Sequence, residues 1–480
     1  MEDESRARFS PRLLGILLAT TVLFTVLAIF ALHDTRFDDA YITFRYGQNL
    51  ATGRGPVFNP GERILGTTSP GEMLVSAAVY LLAGLDGTPA WMAALGCVAW
   101  IAQAFFIFIV LRKAFGDWTA LLGAAALMLG AAGSDIRVAL ETNQVVAFNM
   151  AALWMAMEKR WRTSALLAGL GVLFRPDALV FALPLAFLCA LEQRRKALVP
   201  ALIFLGAFTP WLLFATHFYG TPIPLTAATK FQRAGVAMYA QHIYDHLGIY
   251  VRPGRPMLRV LIWALGIGGA VRLCRENRWY ALLAAYPFLH YAAYLKLRPF
   301  TAHTWHLYPA EAMMIVLAMV ALGRMLEGVQ RWGRWLGAAV AAFVLLSTSF
   351  YTVARIATHQ DSQWTGGRDR AYREVAAFLE ANGDRDREYF ASVEVGTIAY
   401  LTDFRAMDLG WLVSAPGEML EEGELRWLVV DPLYHYLVPA GAPLVFASES
   451  GRFRAEIYDL WKGNTDPNAL ERIRGADWAF

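Results

Sequence analysis

The sequence predicts a polytopic α-helical membrane protein of about eleven transmembrane helices, followed by a small C-terminal α/β domain. Three observations point there. Apolar residues make up 57% of the 480 residues and charged ones only 17%, against roughly 25% charged in soluble domains. Mean hydropathy is +0.37. Short clusters of Arg and Lys separate long apolar runs, and charge becomes frequent only after Thr358. This composition argues against a soluble cytosolic enzyme, a disordered chain or a nucleic-acid binder. A net charge of +3 offers no broad basic face. Cys97, Cys189 and Cys274 sit in apolar stretches, so neither a disulfide framework nor a CxxC metal site is available.

The first run, Leu13 to Leu32, follows Arg6, Arg8 and Arg12. Its length and the lack of an A-x-A cleavage site predict a retained helix with a cytoplasmic N-terminus. Further spans are expected near 91–111, 118–133, 143–157, 163–174, 178–191, 197–217, 257–274, 279–296, 307–323 and 335–353. The run from Glu72 to Leu85 is too short to cross and is expected to lie in the interface. Topology depends on that choice. With 72–85 interfacial, the basic clusters Arg112/Lys113, Lys159/Arg160/Arg162, Arg194/Arg195/Lys196, Arg272/Arg275/Arg278 and Arg324/Arg331/Arg334 all fall on the cytoplasmic side, as the positive-inside rule requires.

Residues 1–354 are therefore expected to form the membrane domain, with a first outer loop over 33–90, and residues 355–480 an outer α/β domain. In that domain Arg368 to Leu379 has helical spacing and stops at Asn382-Gly383. Strand-like runs follow at Glu388–Val393, Leu425–Val430, Leu444–Ala447 and Phe453–Tyr458, the last two joined by a turn over Ser448–Gly451.

Chemistry is expected in the first outer loop. Asp38-Asp39 opens a helix ending near Leu50. Adjacent helical side chains point about 100° apart, so only one of the two carboxylates can face a given target. Capping accounts for one of them. A second acid at a membrane interface is a functional candidate. Phe37, Ala40, Tyr41, Phe44 and Leu50 are expected to face the membrane surface, and Arg45 to pair with one of the two Asp residues. Beyond the helix the loop is dense in turn-formers: Gly53, Gly55, Pro56, Asn59-Pro60-Gly61 and Gly66. A long loop without regular structure commonly binds something.

The stretches DDAYITFRYGQNL (38–50) and GPVFNPGERILGTTSP (55–70) resemble the first periplasmic loop of GT-C-type membrane glycosyltransferases. They are most similar to the mycobacterial terminal β-arabinofuranosyltransferase group and its bacterial relatives. Ala139-Leu140-Glu141-Thr142 resembles the second acidic site of such enzymes, and Phe174-Arg175-Pro176-Asp177 their RPE/RPD element. Phe218-Tyr219-Gly220-Thr221-Pro222-Ile223-Pro224 with Lys230 resembles a YYG…P…K element, and Val393 to Tyr400 with Asp408 their outer C-terminal domain. Gly71-Glu72 and Pro224-Leu225 depart from the pattern, which leaves acceptor choice open.

The resemblance implies a GT-C fold in a bacterial cytoplasmic (inner) membrane, with the C-terminal domain periplasmic. It implies transfer of a sugar, arabinofuranose among the candidates, from a polyprenyl-phosphate donor to an envelope saccharide, lipid or protein acceptor, with inversion. Asp38 or Asp39 is then the general base and Glu141 a second acidic group. Lys230, Arg175 and Arg298, at the outer ends of spans, become donor-phosphate ligands, since Arg offers a planar fork and Lys a point charge. Tyr41, Arg45, His303 and His306 are assigned to the substrate site. No cofactor is required; a divalent cation is left open. The competing readings are a transporter or flippase of a lipid-linked saccharide and a non-catalytic envelope-assembly subunit. A transporter is expected to carry ionisable groups near the bilayer midplane, whereas here they cluster at the outer ends of spans.

Overall fold

The computed structural model describes residues 38–129, 139–230, 236–246, 256–299, 304–328, 366–410, 412–414, 425–450 and 453–462. The expected spans Leu13 to Leu32 and 335–353, and His303, lie outside the described residues. The helices of the membrane part are α1 (Asp38–Ala51), α2 (Pro70–Leu129), α3 (Thr142–Met157), α4 (Trp161–Phe174), α5 (Leu179–Gln193), α6 (Leu198–Tyr219), α7 (Leu225–Lys230), α8 (Val236–His246), α9 (Pro256–Cys274), α10 (Arg278–Leu297) and α11 (Thr304–Gly328). Three stretches among the described residues (Pro70–Leu127, Pro176–Tyr219 and Trp305–Gly323) are apolar and long enough to cross a bilayer.

Helix α2 is broken at Gly84 (φ 68°) and Gly116 (φ 78°). Both conformations favour a residue without a Cβ, and they separate the expected interfacial run and the two spans that follow it. Leu81 and Leu82 on the first segment are exposed, as a helix lying in an apolar interface requires. Helix α11 is the hub of the bundle, with Leu307, Tyr308 and the run Ala312–Val320 buried. Some polar groups inside the bundle are paired across helices: the Gln103 amide nitrogen donates to Asn143 (3.0 Å) and to the Tyr308 hydroxyl (2.9 Å). Without water, such groups need protein partners.

The C-terminal α/β unit contains α12 (Gly366–Asn382), β1 (Tyr389–Ser392), α13 (Gly396–Thr402), β2 (Arg405–Asp408), β3 (Leu425–Val430), β4 (Leu444–Ser450) and β5 (Phe453–Asp459). The sheet order is β2-β1-β3-β5-β4, parallel at β2-β1-β3 and antiparallel at β3-β5-β4. Side chains alternate between its faces. Phe390, Ala406, Trp427, Val429 and Ile457 pack with Val375 and Leu379 of α12 and with Ile42, Tyr46 and Phe58 of the first loop. Tyr389, Ala391, Met407, Leu428 and Tyr458 form the other layer.

One expectation is corrected here. Ala40, Tyr41 and Phe44 do not face the membrane surface. They are buried with Tyr400, Met92 and Leu140, because α13 lies on the face of α1 that amphipathicity assigned to lipid.

Candidate active site

Helices α1 and α13 are clamped at both ends by two side chains of α1 spaced seven residues apart. At one end the Asp38 carboxylate accepts from the backbone N–H groups of Gly396 (2.8 Å) and Thr397 (2.6 Å). At the other, Arg45 donates to the carboxylate of Asp403, the residue that closes α13. Seven residues return to nearly the same helix face about 10 Å along. An acid at the helix N-terminus and a cation at its C-terminus both suit the dipole. Burial pushes the Asp38 carboxyl up to about 6, against the lowering effect of the two N–H bonds. Burial also opposes charge on Asp403, but Arg45 and Arg54 outweigh it and hold that carboxyl below its usual range.

Two assignments are corrected by this geometry. Arg45 pairs with Asp403, Gln48 and the Phe58 carbonyl rather than with Asp38 or Asp39. The Tyr41 hydroxyl donates to Asp369 (3.3 Å) and accepts from Arg373 (2.8 Å). Both side chains are fully buried between α1 and the C-terminal unit; their polar ends are consumed in holding that unit down.

Asp39, one position on from Asp38, lines a cavity of about 350 Å³. Loop 66–69 forms one side of it, and the segments preceding α3 and α5 form another. The end of α10 and the start of α11 complete the wall, with Leu412 of the C-terminal unit as a roof. The roof is tied down by one sequence-distant hydroxyl and by local bonds within its own loop. Thr226 donates to the carbonyls of Gly66 and Leu412, and Asp408 accepts from the N–H groups of Gly410 (2.7 Å), Leu412 (2.7 Å) and Val413 (3.0 Å).

Arg175 is the electrostatic centre of the cavity. Pro176 holds it in an extended conformation (φ −151°, ψ 130°) between α4 and the turn into α5. Its Nε and one terminal nitrogen engage the two oxygens of Asp177 (3.1 and 2.6 Å). The remaining donors reach the Thr142 hydroxyl (3.1 Å), the Trp305 carbonyl (3.0 Å) and the Tyr294 hydroxyl (3.3 Å). All five guanidinium N–H groups thus have acceptors within the protein.

Glu141 lies 3.7 Å from the Arg175 guanidinium. Its carboxyl is raised, chiefly by burial, against the lowering effects of Arg175 and a hydrogen bond with Ser69. The neighbouring departure Gly71-Glu72 has a packing reason: a Cβ on Gly71 would come within 2.5 Å of the Phe174 ring.

Asp39, Glu141, Arg175 and His306 thus share one cavity, while Asp38, Tyr41 and Arg45 lie outside its lining. Leu297 and Pro299 line it, but Arg298 between them does not. Lys230 ends α7, and its side chain lies outside the described residues. Sequence reasoning missed Tyr294, whose hydroxyl also donates to Asp177 (2.8 Å). A signal was present in the spacing. Tyr286, His290 and Tyr294 recur every four residues, a polar stripe on an apolar helix. His306 stacks on the Tyr294 ring with centroids 5.6 Å apart. Among the described residues no group of three or more His, Cys, Asp or Glu side chains is placed to hold a metal ion.

This arrangement is the GT-C fold of multi-pass membrane proteins. The chain superposes on ArnT from Cupriavidus metallidurans with a TM-score of 0.61 at 13% identity, covering 92% of this chain and 97% of that one. The form of that protein bound to undecaprenyl phosphate gives a TM-score of 0.59 over 94% of this chain and 98% of that one, again at 13% identity. The oligosaccharyltransferase AglB from Archaeoglobus fulgidus, in complex with an inhibitory peptide and a dolichol-phosphate, gives a TM-score of 0.59 at 11% identity, covering 89% and 71% of the respective chains. In sequence, 225 residues are 30% identical to the terminal β-(1→2)-arabinofuranosyltransferase of Mycobacterium tuberculosis, covering 40% of this chain. The match spans about a third (34%) of that relative's length. No family model matches the chain.

Proposed function

We propose that the protein is a membrane glycosyltransferase that moves a sugar from a polyprenyl-phosphate donor to an envelope saccharide, lipid or protein acceptor. In this reading the chemistry runs at the outer face of a bacterial inner membrane, with the N-terminus cytoplasmic and residues 355–480 as the outer domain. The observation that carries it is the division of labour at 38–39: Asp38 is spent on the α13 N-terminus, and Asp39 is presented to a cavity that also holds Glu141 and Arg175.

Asp39 is the general base. It takes the acceptor hydroxyl proton as that oxygen attacks the anomeric carbon, and one displacement gives inversion. The departing group is a lipid monophosphate, whose charge needs cations held in a dry site. Because Arg175 is saturated by protein acceptors, its part is to fix Asp177 and Tyr294 and to supply a positive field. Direct contact with the phosphate falls to Lys230 at the end of α7 and to Arg298 beside the cavity. Glu141, its carboxyl raised chiefly by burial, supplies a second acid for the sugar hydroxyls. The arabinofuranosyltransferase similarity supports arabinofuranose as the first donor sugar to try.

The test is direct. Purified full-length protein is incubated with a panel of polyprenyl-phosphate sugars (arabinofuranose, mannose, glucose) and envelope acceptors. Release of free polyprenyl phosphate with matching glycosylated product is expected for one donor. Binding of donors without release from any of them would favour the scaffold reading.

A further inference from the structure

The helices that build the cavity carry a second concave site at their other end. Helix α3 runs away from Glu141 for 16 residues, about 24 Å, before the chain turns into α4. There Lys159, Arg160 and Arg162 meet Lys196, which lies in the turn between α5 and α6, around a bowl of about 580 Å³. Trp161 and Gln193 complete its floor, and no acidic residue lines it. The acids on either side are engaged elsewhere, Glu158 with Lys113 and Glu192 with Arg278. Four exposed cations therefore converge without a counter-charge among the described lining residues.

Two further features point to a ligand with both a charged and an apolar part. The bowl shares Trp161, Gln193 and Pro200 with an apolar slot of about 70 Å³ between α4, α5 and α6. The Gln193 side-chain nitrogen, at that seam, is buried and has no hydrogen-bond acceptor. Beyond the bowl, Leu198, Leu202 and Leu205 of α6 are exposed along one face. Such a face suits acyl chains.

We infer that this bowl binds the phosphodiester headgroup of an anionic phospholipid, with its chains along α6. Basic pockets between transmembrane helices attract such headgroups, at a strength set by the number of cations near the surface. The Gln193 amide donates to a phosphate or ester oxygen and gains the acceptor it lacks.

Native mass spectrometry of the full chain tests this, with lipid adducts counted after exchange into detergent containing phosphatidylglycerol or phosphatidylcholine. Wild type is expected to retain phosphatidylglycerol selectively. Arg160→Gln, Arg162→Gln and Lys196→Gln are each expected to lower retention about fivefold, and Gln193→Leu to lower it further in combination. Melting temperature in detergent reports whether each variant is folded, and Lys196→Gln alone is the mildest of them. Arg272→Gln/Arg275→Gln, at a different basic cluster, is expected to retain lipid as wild type does. Equal retention of the two lipids, or undiminished retention in folded variants, overturns the inference. Displacement of the lipid by inorganic phosphate or glycerol phosphate at the same concentration would assign the bowl to a soluble anion instead.

Discussion

Asp38 and Asp39 are chemically identical and adjacent, and the helix gives them different work. That only one could face a target was legible from the 100° step. Which one was not legible, because the partner of Asp38 lies 358 residues away at Gly396. Replacing Asp38 by Asn keeps the shape but leaves one acceptor oxygen, in place of two, for the Gly396 and Thr397 N–H groups at the α13 N-terminus. We expect a loss of about 1 kcal/mol at pH 5 or below, read as a lower denaturation midpoint. Its pH dependence has a definite sign. The folded carboxyl, raised to about 6 from 3.8, binds its proton more tightly than the unfolded one. Wild-type stability relative to Asp38→Asn therefore falls as pH rises from about 4 to about 6 and levels off above. A difference independent of pH would mean that Asp38 is not buried as described. Arg175 was legible through its proline and Asp177 through its spacing. That all five donors are already taken was not, since three of the acceptors come from Thr142, Tyr294 and Trp305.

At the scale of elements, apolar runs located the helices well because in lipid the run is itself the element. Gly84 and Gly116 break α2 at the places where run lengths implied separate segments. The C-terminal strands that form apolar runs were legible, whereas β2 (Arg405–Asp408) carries a charge at each end and only two apolar residues between them, too few to mark a run. Helix α13, of seven residues (Gly396–Thr402), spans only about two turns and was missed, and with it the true partner of the α1 apolar face. Two element-level outcomes follow. Arg45→Met removes one end of the clamp and leaves Asp403 with Arg54 alone; a loss of about 1–3 kcal/mol is expected, with protease sensitivity rising first around 396–403. Gly269→Ala places a Cβ onto the Leu317 carbonyl where α9 crosses α11. Neither backbone can yield, so a drop of several degrees in melting temperature is expected. An unchanged melting curve would mean that the two helices are not in contact there.

For the whole molecule, the cavity belongs to neither part alone. Its acidic residues Asp39, Glu141 and Asp177 come from the first loop and from the ends of helices in the membrane part. Its roof at Leu412 comes from the C-terminal unit, locked by Asp408 and Thr226. Sequence order hides such an assembly, because the lining is drawn from residues 39 to 412: Asp39, Glu141, Arg175 and His306 stood out singly as candidates, while their convergence and the part of Leu412 did not. In the proposed reaction Asp39 is the group that accepts the hydroxyl proton. The most direct test is single-turnover sugar transfer by wild type, Asp39→Asn and Asp38→Asn, with donor affinity measured on the same preparations. We predict that Asp39→Asn binds donor normally but transfers about 10²–10⁴-fold more slowly, while Asp38→Asn loses stability and keeps most of its rate. Full turnover in Asp39→Asn, or collapse of turnover in a folded Asp38→Asn alone, would contradict the assignment.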